Sequence, residues 1–521
     1  MKFSSLFDKM QDATTLKKAR EYARWSIPSL MAYESKDGKA RAVVGDFQSD
    51  GAILVNGLAS KLAGLLFPST HPFMRVNLSD EDKAAIEKAG GSNIDGMFAK
   101  LEQSASMRVF NNSSFNQLVM VLKNLIVTGN AALYRDSENQ RVVSFNLDRF
   151  AVRRDGIGRV VDAVVKETTY FELLSPETQS RLIEAHSQKY DPDKPYEQPL
   201  TTYTRIIREP GAGINGIDMF HVAVQVEDVA MDSEYSGTYS EFTCPWIFPT
   251  WNLISGENYG RGLLEDHAGG FAKLSELSEA LVLYEVESLQ LINLVGNAAL
   301  NAKDELAKAE TGAWVAAEPD SVANYESGTF NKIELVQADL DREFSKLARA
   351  FMYQGNTRDA ERVTAYELRQ EALEVEQTMG GAYSVLAETL QLPLSHVLIQ
   401  EEDPDFIQAM LESTGGTTIG INTGLSALGR ATKVQNILRA LEEGRAAIEL
   451  SQIADQRIDP YKIMDIIYQG RSVDPQEIHK SDAQLREEAE AEIQQQQAMA
   501  QMQNAEAQAN LQAGEETMEQ I

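Results

Sequence analysis

The densest group of side chains that could do chemistry in this sequence is acidic. Four carboxylates surround Pro404, namely Glu401, Glu402, Asp403 and Asp405. Hard divalent cations prefer several carboxylate oxygens as ligands, so this spacing permits the metal site of a hydrolase. Charged side chains more often stay in contact with water, and a solvated turn is the interpretation that we favour for the cluster.

Three glycines give a formal G-x-G-x-x-G at Gly211, Gly213 and Gly216. A dinucleotide-binding site of this kind needs a strand before the glycines and a helix after them. Pro210 precedes the glycines instead, and the residues at 217–222 have the composition of a strand. We therefore expect a glycine-rich β-turn at this position.

Other signatures of enzymes are missing from the sequence. It contains no G-x-x-x-x-G-K-[ST], no H-E-x-x-H and no Cys-x-x-Cys, and none of its six histidines has another at i+3 or i+4. Local spacing therefore makes no zinc site. The single cysteine, Cys244, has no activating base beside it in the sequence, and we expect it to be a buried structural residue. We predict no catalytic residue, no bound metal and no cofactor.

The composition is that of a soluble globular protein with an acidic surplus. The chain has 521 residues, 43% of them hydrophobic and 24% charged, and its formal net charge is −30. A protein that holds DNA tightly through phosphate contacts needs a basic face, so tight nucleic-acid binding is disfavoured. The same negative charge is compatible with DNA that passes without adhering, because like charges repel.

The sequence predicts neither a membrane segment nor a secretory signal. No apolar run reaches the roughly 20 residues that span a bilayer, and the first ten residues lack an apolar core. With one cysteine the chain cannot form an internal disulfide, which favours a reducing compartment.

Hydrophobic periodicity predicts an α-rich chain with a β-rich insertion, which is an α+β fold class. Helices are expected in the first part at 1–30, 52–67, 79–110 and 115–128, with Ser79 and Gly129 as helix caps. Residues 140–255 are mainly β, with a hairpin turn at Asp155-Gly156 and strands at 201–208 and 219–229. Helices return at 264–295, 336–353, 363–399 and within 421–470.

A short charged loop interrupts the second helical part. It comprises Gly355, Asn356, Thr357, Arg358, Asp359, Ala360, Glu361 and Arg362. The helix after it opens with Thr364 and Glu367, which have the spacing of a capping box. Taken alone, the loop is best interpreted as a solvent-exposed turn between helices. The alternative is a loop that faces a polyanion through its two arginines.

Five blocks of this sequence resemble the portal, or head-to-tail connector, protein of short-tailed bacteriophages, the podoviruses of the autographivirus kind. Ordered similarity across several blocks is far more specific than one short motif, whereas 171–200, 296–330 and 480–521 resemble little. The blocks occur in the family's order and span most of the chain: NGLASKLAGLLFP at Asn56 to Pro68, LVMVLKNLIVTGNAALY at Leu118 to Tyr134, CPWIFPTWNLISGENYGRGLL at Cys244 to Leu264, the long block from Arg362 to Val397, and NTGLSALGR at Asn422 to Arg430.

The resemblance implies a ring-forming subunit of the phage portal fold. That fold is mainly α, with a β-rich wing insertion, a long stem-helix hairpin, a clip at the hairpin tip and a helical crown. Carried onto this chain, its parts fall at 1–263 (wing, β-rich at 140–255), 264–295 (first stem helix), 296–335 (clip), 336–353 (second stem helix), 354–362 (tunnel loop), 363–415 (wing helix and return), 416–480 (crown) and 481–521 (flexible Gln/Ala/Glu-rich tail).

The resemblance also implies a function. A ring, typically of twelve subunits, would lie at the unique capsid vertex, conduct double-stranded DNA during genome packaging and ejection, and nucleate head assembly. Its expected partners are terminase, the major capsid and scaffolding proteins, a tail adaptor at the clip and internal core proteins at the crown. The expected location is the head–tail vertex of the virion, after assembly in the host bacterial cytoplasm. The tunnel loop would face the DNA with Gly355, Asn356, Thr357, Arg358, Asp359, Glu361 and Arg362.

Two alternatives from other classes stay open on the sequence alone. One is the metal-dependent hydrolase that would use the acidic cluster, and the other is a helical scaffold that oligomerises without a DNA pore. The predicted stem favours lateral packing of subunits, because it is apolar on more than one side. The residues concerned are Leu281, Leu283, Tyr284, Val286, Leu289 and Leu291.

Overall fold

The computed structural model describes most of the first 406 residues and little beyond them. The described residues are 2–31, 33–34, 41–42, 45–69, 72–78, 94–186, 199–231, 236–288, 291–295, 304, 308, 322–326, 330–353, 370, 373–375, 377–378, 381–406 and 419–423. The chain divides into two units, residues 1–428 and residues 429–521. The second unit lies outside the described residues, and with it most of the predicted crown and the whole predicted tail.

The N-terminal segment forms two helices where the sequence predicted one. Helix α1 is Phe3–Met10 and helix α2 is Ala13–Trp25. Asp12 lies between them and caps α2, since its carboxylate accepts hydrogen bonds from the backbone N–H groups of Thr14 (3.0 Å) and Thr15 (3.3 Å). A capping side chain of this kind starts a new helix and so ends the previous one. A 3₁₀ turn at Pro28–Met31 and the strand pair β1 (Tyr33–Glu34) and β2 (Arg41–Ala42) follow.

Three further helices build the main hydrophobic core. They are α3 (Asp50–Leu66), α4 (Ile94–Met107) and α5 (Ser114–Thr128). Helices α3 and α5 confirm the helices predicted at 52–67 and 115–128, and α5 ends at Gly129, whose φ is +76°. Of the helix predicted at 79–110, the structure describes the part that begins at residue 94, and Ser79 lies outside the described residues.

The β-rich region predicted at 140–255 is confirmed. Strands β6 (Phe150–Arg154), β7 (Val160–Tyr170), β8 (Pro199–Glu209) and β9 (Met219–Val226) follow one another in an antiparallel sheet, in which β9 also pairs with β10 (Val229–Ala230) and β11 (Gly237–Ser240). Helix α6 (Pro176–Ala185) connects β7 to β8. A second sheet contains β12 (Trp246–Ile247), β4 (Ala132–Asp136) and β5 (Arg141–Phe145), in that order. The hairpin turn predicted at Asp155-Gly156 joins β6 to β7.

The chain then forms a hairpin of two long helices. After the short helix α7 (Leu263–Asp266), helix α8 is Ala268–Ser288 and helix α9 is Phe330–Ala350. Between them, strand β13 (Leu291–Val295) pairs antiparallel with β14 (Val322–Glu326). The helix predicted at 264–295 is therefore wrong for its last residues, and the helix predicted at 336–353 begins six residues earlier. A short apolar run such as 291–295 fits a helix or a strand equally well until its pairing partner is known.

The last described helices correspond to the predicted wing helix. Helix α10 (Ala382–Leu386) continues through one π-helical turn (Ala387–Gln391) into α11 (Leu392–Glu402). Gly381, whose φ is +91°, is the N-cap of α10. Strand β15 (Ile419–Thr423) pairs with β3 (Met74–Leu78). Most of the segment 421–470, within which helices were predicted, lies outside the described residues. Within the described part of the chain, no helix is long and apolar enough to cross a membrane.

Candidate functional site at the base of the helical hairpin

The predicted tunnel loop begins immediately after the described end of α9. Its residues Gly355, Asn356, Thr357, Arg358, Asp359, Glu361 and Arg362 all lie outside the described residues. The structure does describe the segment through Tyr353 that leads into the loop, and the base of the hairpin around it. The candidate site is therefore built from the residues that hold this base in place.

Helices α8 and α9 approach each other closely at the base of the hairpin. A Cβ atom on Gly270 would lie 3.1 Å from Leu347 Cδ2 and 3.3 Å from Glu343 Oε1, so those two side chains would have to shift to admit a larger residue. One turn along, Lys273 Nζ lies 2.8 Å from Asp339 Oδ2 and 3.3 Å from Glu343 Oε2. The hydrogen bond to Asp339 raises the pKa of Lys273 and lowers that of Asp339. These contacts fix the register of the two helices.

The end of α9 is anchored by aromatic packing. Phe351 is fully buried, with its ring edge-on to Phe271 at a centroid distance of 5.5 Å and 5.9 Å from the ring of His267. Tyr353 packs against Phe344 at 6.3 Å. The opposite helix α3 approaches through Gly57, where a Cβ would lie 3.2 Å from the Tyr353 ring. The segment that leads into the predicted loop is therefore tied to both α8 and α3.

Met352 ends α9 with a left-handed backbone, at a φ of +52°. The N–H of Tyr353 donates to the carbonyl of Ala348 (2.8 Å), and that of Met352 to the carbonyl of Arg349 (3.1 Å). This pair of bonds is a Schellman motif, in which the left-handed residue is usually glycine. Met352 therefore stores backbone strain at the entrance to the predicted loop.

Relief of this strain is measurable by comparing two variants at one position. Met352→Ala and Met352→Gly both lose the side chain, which packs partly against the core, but only glycine adopts the left-handed backbone without a Cβ penalty. We expect Met352→Gly to be more stable than Met352→Ala by about 1 kcal/mol in urea unfolding. At Ala350, which is helical, the order should reverse, with Ala350→Gly less stable than the wild type by about 1 kcal/mol. An alanine variant at 352 that equals or exceeds the glycine variant would contradict the strain.

The acidic cluster around Pro404 is engaged by two arginines. Arg135 Nε and Nη2 each lie 2.8 Å from an oxygen of Glu401, and Arg108 Nε lies 2.6 Å from Glu402 Oε2. Arg108 also contacts Glu401 at 3.4 Å, and the Ser104 hydroxyl donates to Glu402 at 2.6 Å. The hydrogen bond from Ser104, with that from Arg108, lowers the pKa of Glu402.

This arginine–glutamate cluster corrects part of the sequence interpretation. Glu401 does not lie in a solvated turn, since its side chain is 6% exposed and that of Arg135 is 0% exposed. Its carboxylate pairs with guanidinium groups rather than standing free to coordinate a metal ion. Among the residues that the structure describes, no group of three or more His, Cys, Asp or Glu side chains is placed to hold a metal ion. The cluster joins β4 and the end of α4 to the end of α11.

A second junction joins α5 to the segment that leads into the hairpin. A Cβ on Gly129 would lie 2.3 Å from the backbone carbon of Arg261, and one on Gly262 would lie 2.6 Å from the Ile126 carbonyl oxygen. The Asn130 side chain donates to the Gly260 carbonyl and accepts from the Gly260 N–H, both at 2.7 Å. The backbone at 126–130 is therefore in direct contact with the backbone at 260–262, which immediately precedes α7 and α8.

Two smaller predictions from the sequence are confirmed. The glycines at 211–216 form a turn between β8 and β9, in which the Gly213 N–H donates to the Ile217 carbonyl (2.8 Å) and the Gly211 N–H to Asp218 (2.9 Å). Cys244 is a buried free cysteine. Burial raises the pKa of its thiol to about 12, so the thiol is not activated.

The sequence as a whole matches the family model described as "Bacteriophage head to tail connecting protein", over residues 2–479. The chain belongs to this family. The match includes the predicted loop, both hairpin helices, the arginine–glutamate cluster and the junction at Gly129. The resemblance to the portal, or head-to-tail connector, family is thereby confirmed.

Curated relatives of this head-to-tail connector are named portal proteins. That of Pseudomonas phage phiKMV is 40% identical over 492 residues, which cover 94% of each chain. That of Escherichia phage T7 is 30% identical over 457 residues, or 85% of this chain and 80% of the relative. A portal protein has a structural role rather than an enzymatic one. Among solved structures, a chain from the neck of an empty gene transfer agent particle covers 81% of this chain and 90% of its own length, at 12% identity. Its TM-score of 0.36 is too low to establish a shared fold.

Proposed function

We propose that this head-to-tail connector is the subunit of a portal ring that conducts double-stranded DNA during genome packaging and ejection. The observation that carries the proposal is the family match over residues 2–479. The hairpin supports it, because α8 and α9 have 21 residues each and so a length of about 32 Å. Helices of that length, held in register at one end, can line a channel.

The ring would be closed by head-to-tail contacts between neighbouring subunits, and twelve is the number that the family resemblance implies. Such contacts join two different surfaces of the same chain and close when the rotation is right. The hairpin offers apolar surface for them, since Leu283, Val286 and Leu335 are 60%, 56% and 70% exposed in the single chain. Exposed apolar side chains grouped on one element typically mark an interface.

The net negative charge of the chain is compatible with DNA that slides through a channel without adhering to it. Each phosphate held by a lysine or arginine adds affinity that depends on salt. A subunit with a net charge of −30 repels the DNA backbone over most of its surface. We propose that the loop at 354–362 faces the channel, and that Arg358 and Arg362 supply the main positive contacts at its constriction.

The proposed partners follow from position along the chain. The clip at 296–335 would bind terminase during packaging and a tail adaptor afterwards, and the crown at 416–480 would face internal core proteins. The major capsid and scaffolding proteins would surround the ring at the head–tail vertex of the virion, assembled in the host bacterial cytoplasm. Terminase, as a separate ATPase, would supply the energy for packaging, in keeping with the missing P-loop motif.

Replacing both loop arginines tests the channel role. In Arg358→Ala/Arg362→Ala we expect rings to form as in the wild type, because the surfaces proposed to join subunits are on α8 and α9 and do not include the two substituted residues. DNA packaging or retention should change, and the salt dependence of DNA retention should fall by about two phosphate contacts for each engaged loop. Packaging assays and electron-microscopy class averages measure the two properties separately.

The matched control removes two exposed arginines of the wing, in Arg141→Ala/Arg181→Ala. This double variant should assemble and package DNA as the wild type does. A loop variant that fails to form rings, or one that packages and retains DNA like this control, would be evidence against a channel-facing loop.

A further inference from the structure

We infer that the hairpin carries two complementary faces, and that neighbouring subunits join by packing the acidic face of α8 against the basic face of α9 in the next copy. This inference rests on the ring proposed above and specifies which surfaces close it. The acidic face is defined by Glu276, Glu279, Val282, Leu283 and Val286. The basic face is defined by Leu335, Arg342, Lys346 and Arg349.

The acidic face of α8 points away from α9. Gly270 and Lys273 contact α9. At 100° per residue the positions 279, 282 and 286 fall on the opposite side of the helix, and 276 and 283 fall on its flank. Each of them is exposed. Across the described residues, no ion pair engages Glu276 or Glu279. The face therefore presents two carboxylates and three apolar side chains to solvent.

The basic face of α9 is a separate stripe on that helix. Arg342, Lys346 and Arg349 are spaced i, i+4 and i+7, which places them on one side. Arg342 and Lys346 are themselves exposed, and among the described residues they pair only within their own helix, with Asp339 (3.1 Å) and Glu343 (3.1 Å). Such pairs are weak and leave the cations able to bind a partner.

The charges on α9 are segregated between its exposed sides. Glu334 and Asp341 lie on the other exposed side of the helix, apart from the three cations. Asp341 is near Asp50 of α3, and this negative charge contributes, after burial, to the raised pKa of Asp50. The acidic side of α9 thus faces the subunit's own α3, and the basic side is left for a neighbour.

Both faces have the same order from the base of the hairpin to its tip. The charged residues lie nearer the base, and the apolar ones, Leu283 and Val286 on α8 and Leu335 on α9, lie nearer the tip. The contacts of Lys273 with Asp339 and Glu343 set the register. In that register Glu276 lies about one turn from Arg342, or roughly 5 Å along the axis. A tilt of the hairpin or the reach of an arginine covers this distance.

The occupant of each face is a second copy of this chain. Two acidic faces would repel each other, so a symmetric pairing of like faces is disfavoured. Acidic-to-basic pairing uses a different surface on each partner, and this heterologous contact is the type that builds closed rings. The apolar residues at the tip end of each face would be buried together in the same contact.

Charge reversal followed by charge exchange tests the pairing. We expect Glu276→Lys/Glu279→Lys alone and Arg342→Glu/Arg349→Glu alone to raise the subunit concentration needed for ring assembly by on the order of tenfold or more. The chain with all four substitutions should again form rings near the wild-type concentration, because the faces are complementary with the signs exchanged. Light scattering and class averages measure assembly, and circular dichroism checks that each variant is folded.

A control changes charge equally on the other side of α9. Glu334→Lys/Asp341→Lys should assemble as the wild type does. The inference is overturned if either double reversal assembles at the wild-type concentration, or if the folded fourfold variant stays unassembled. A wild-type chain that forms no rings would instead count against the proposed portal ring itself, so the two failures are distinguishable.

Discussion

Replacing Arg135 with methionine should lower the free energy of unfolding by about 3–5 kcal/mol. Arg135 is fully buried and holds both oxygens of Glu401, which is itself 6% exposed. Removing the guanidinium leaves a buried carboxylate with only the longer contact to Arg108. A buried charge without its partner costs far more than the pair contributes when both members are present. Urea unfolding at a protein concentration low enough to prevent assembly measures the loss.

Two further variants separate the effect of burying the ion pair from the effect of the unpaired charge on the free energy of unfolding. Arg141→Ala also breaks an arginine–carboxylate pair, to Asp136 at 3.3 Å, but Arg141 is 56% exposed. This control should cost less than about 1 kcal/mol. Adding Glu401→Gln to Arg135→Met should recover part of the stability, since it removes the unpaired charge. A loss below 1 kcal/mol for Arg135→Met would show that the arginine–glutamate cluster does not hold α11 to the sheet.

Replacing Gly129 with alanine should cost about 3 kcal/mol or more. The glycine has a φ of +76°, and a Cβ there would lie 2.3 Å from a backbone carbon of Arg261 and 2.6 Å from the Gly260 carbonyl oxygen. Backbone atoms cannot rotate away as a side chain can, so the variant combines a strained conformation with overpacking. The displaced segment leads into α7 and α8, so the base of the hairpin should also shift.

Gly64→Ala is the matched control. Gly64 lies inside helix α3, and nothing lies within 4 Å of the position that a Cβ would take. The same glycine-to-alanine change should therefore stabilise the chain, by up to about 1 kcal/mol. Equal effects of the two substitutions in thermal unfolding would contradict the close backbone contact at Gly129.

Local sequence patterns were enough to predict several elements. The apolar periodicity of α3 and α5, the glycine after α5 and the turn at Asp155 all act over a few residues, and the structure confirms them. The secondary-structure predictions that were wrong depend on pairing between segments that are distant in the sequence. Strand β13 has a sequence that also suits a helix, and its identity depends on β14, which is 31 residues further along. Helix α9 likewise begins at Phe330, four positions after the last residue of β14, whereas periodicity placed its start at residue 336.

The candidate site was predictable only in part, for the same reason. The acidic cluster is visible in the sequence, but Glu401 and Arg135 are 266 positions apart. The local signal for Arg135 is a charged residue directly after the apolar run Ala131 to Tyr134. Gly129 was recognisable as a helix cap, whereas its contact with Gly260 and Gly262 was not. The tunnel loop came from family resemblance rather than from local physics, and its role stays a prediction.

The central claim is that this chain assembles into a ring around a DNA channel, and the mass and rotational symmetry of the purified particle test it most directly. Light scattering combined with electron-microscopy class averages should give a ring of about twelve times 57.7 kDa, with a central hole wide enough for duplex DNA. A particle that stays monomeric or dimeric at all concentrations, or a ring too narrow for duplex DNA, would contradict the account.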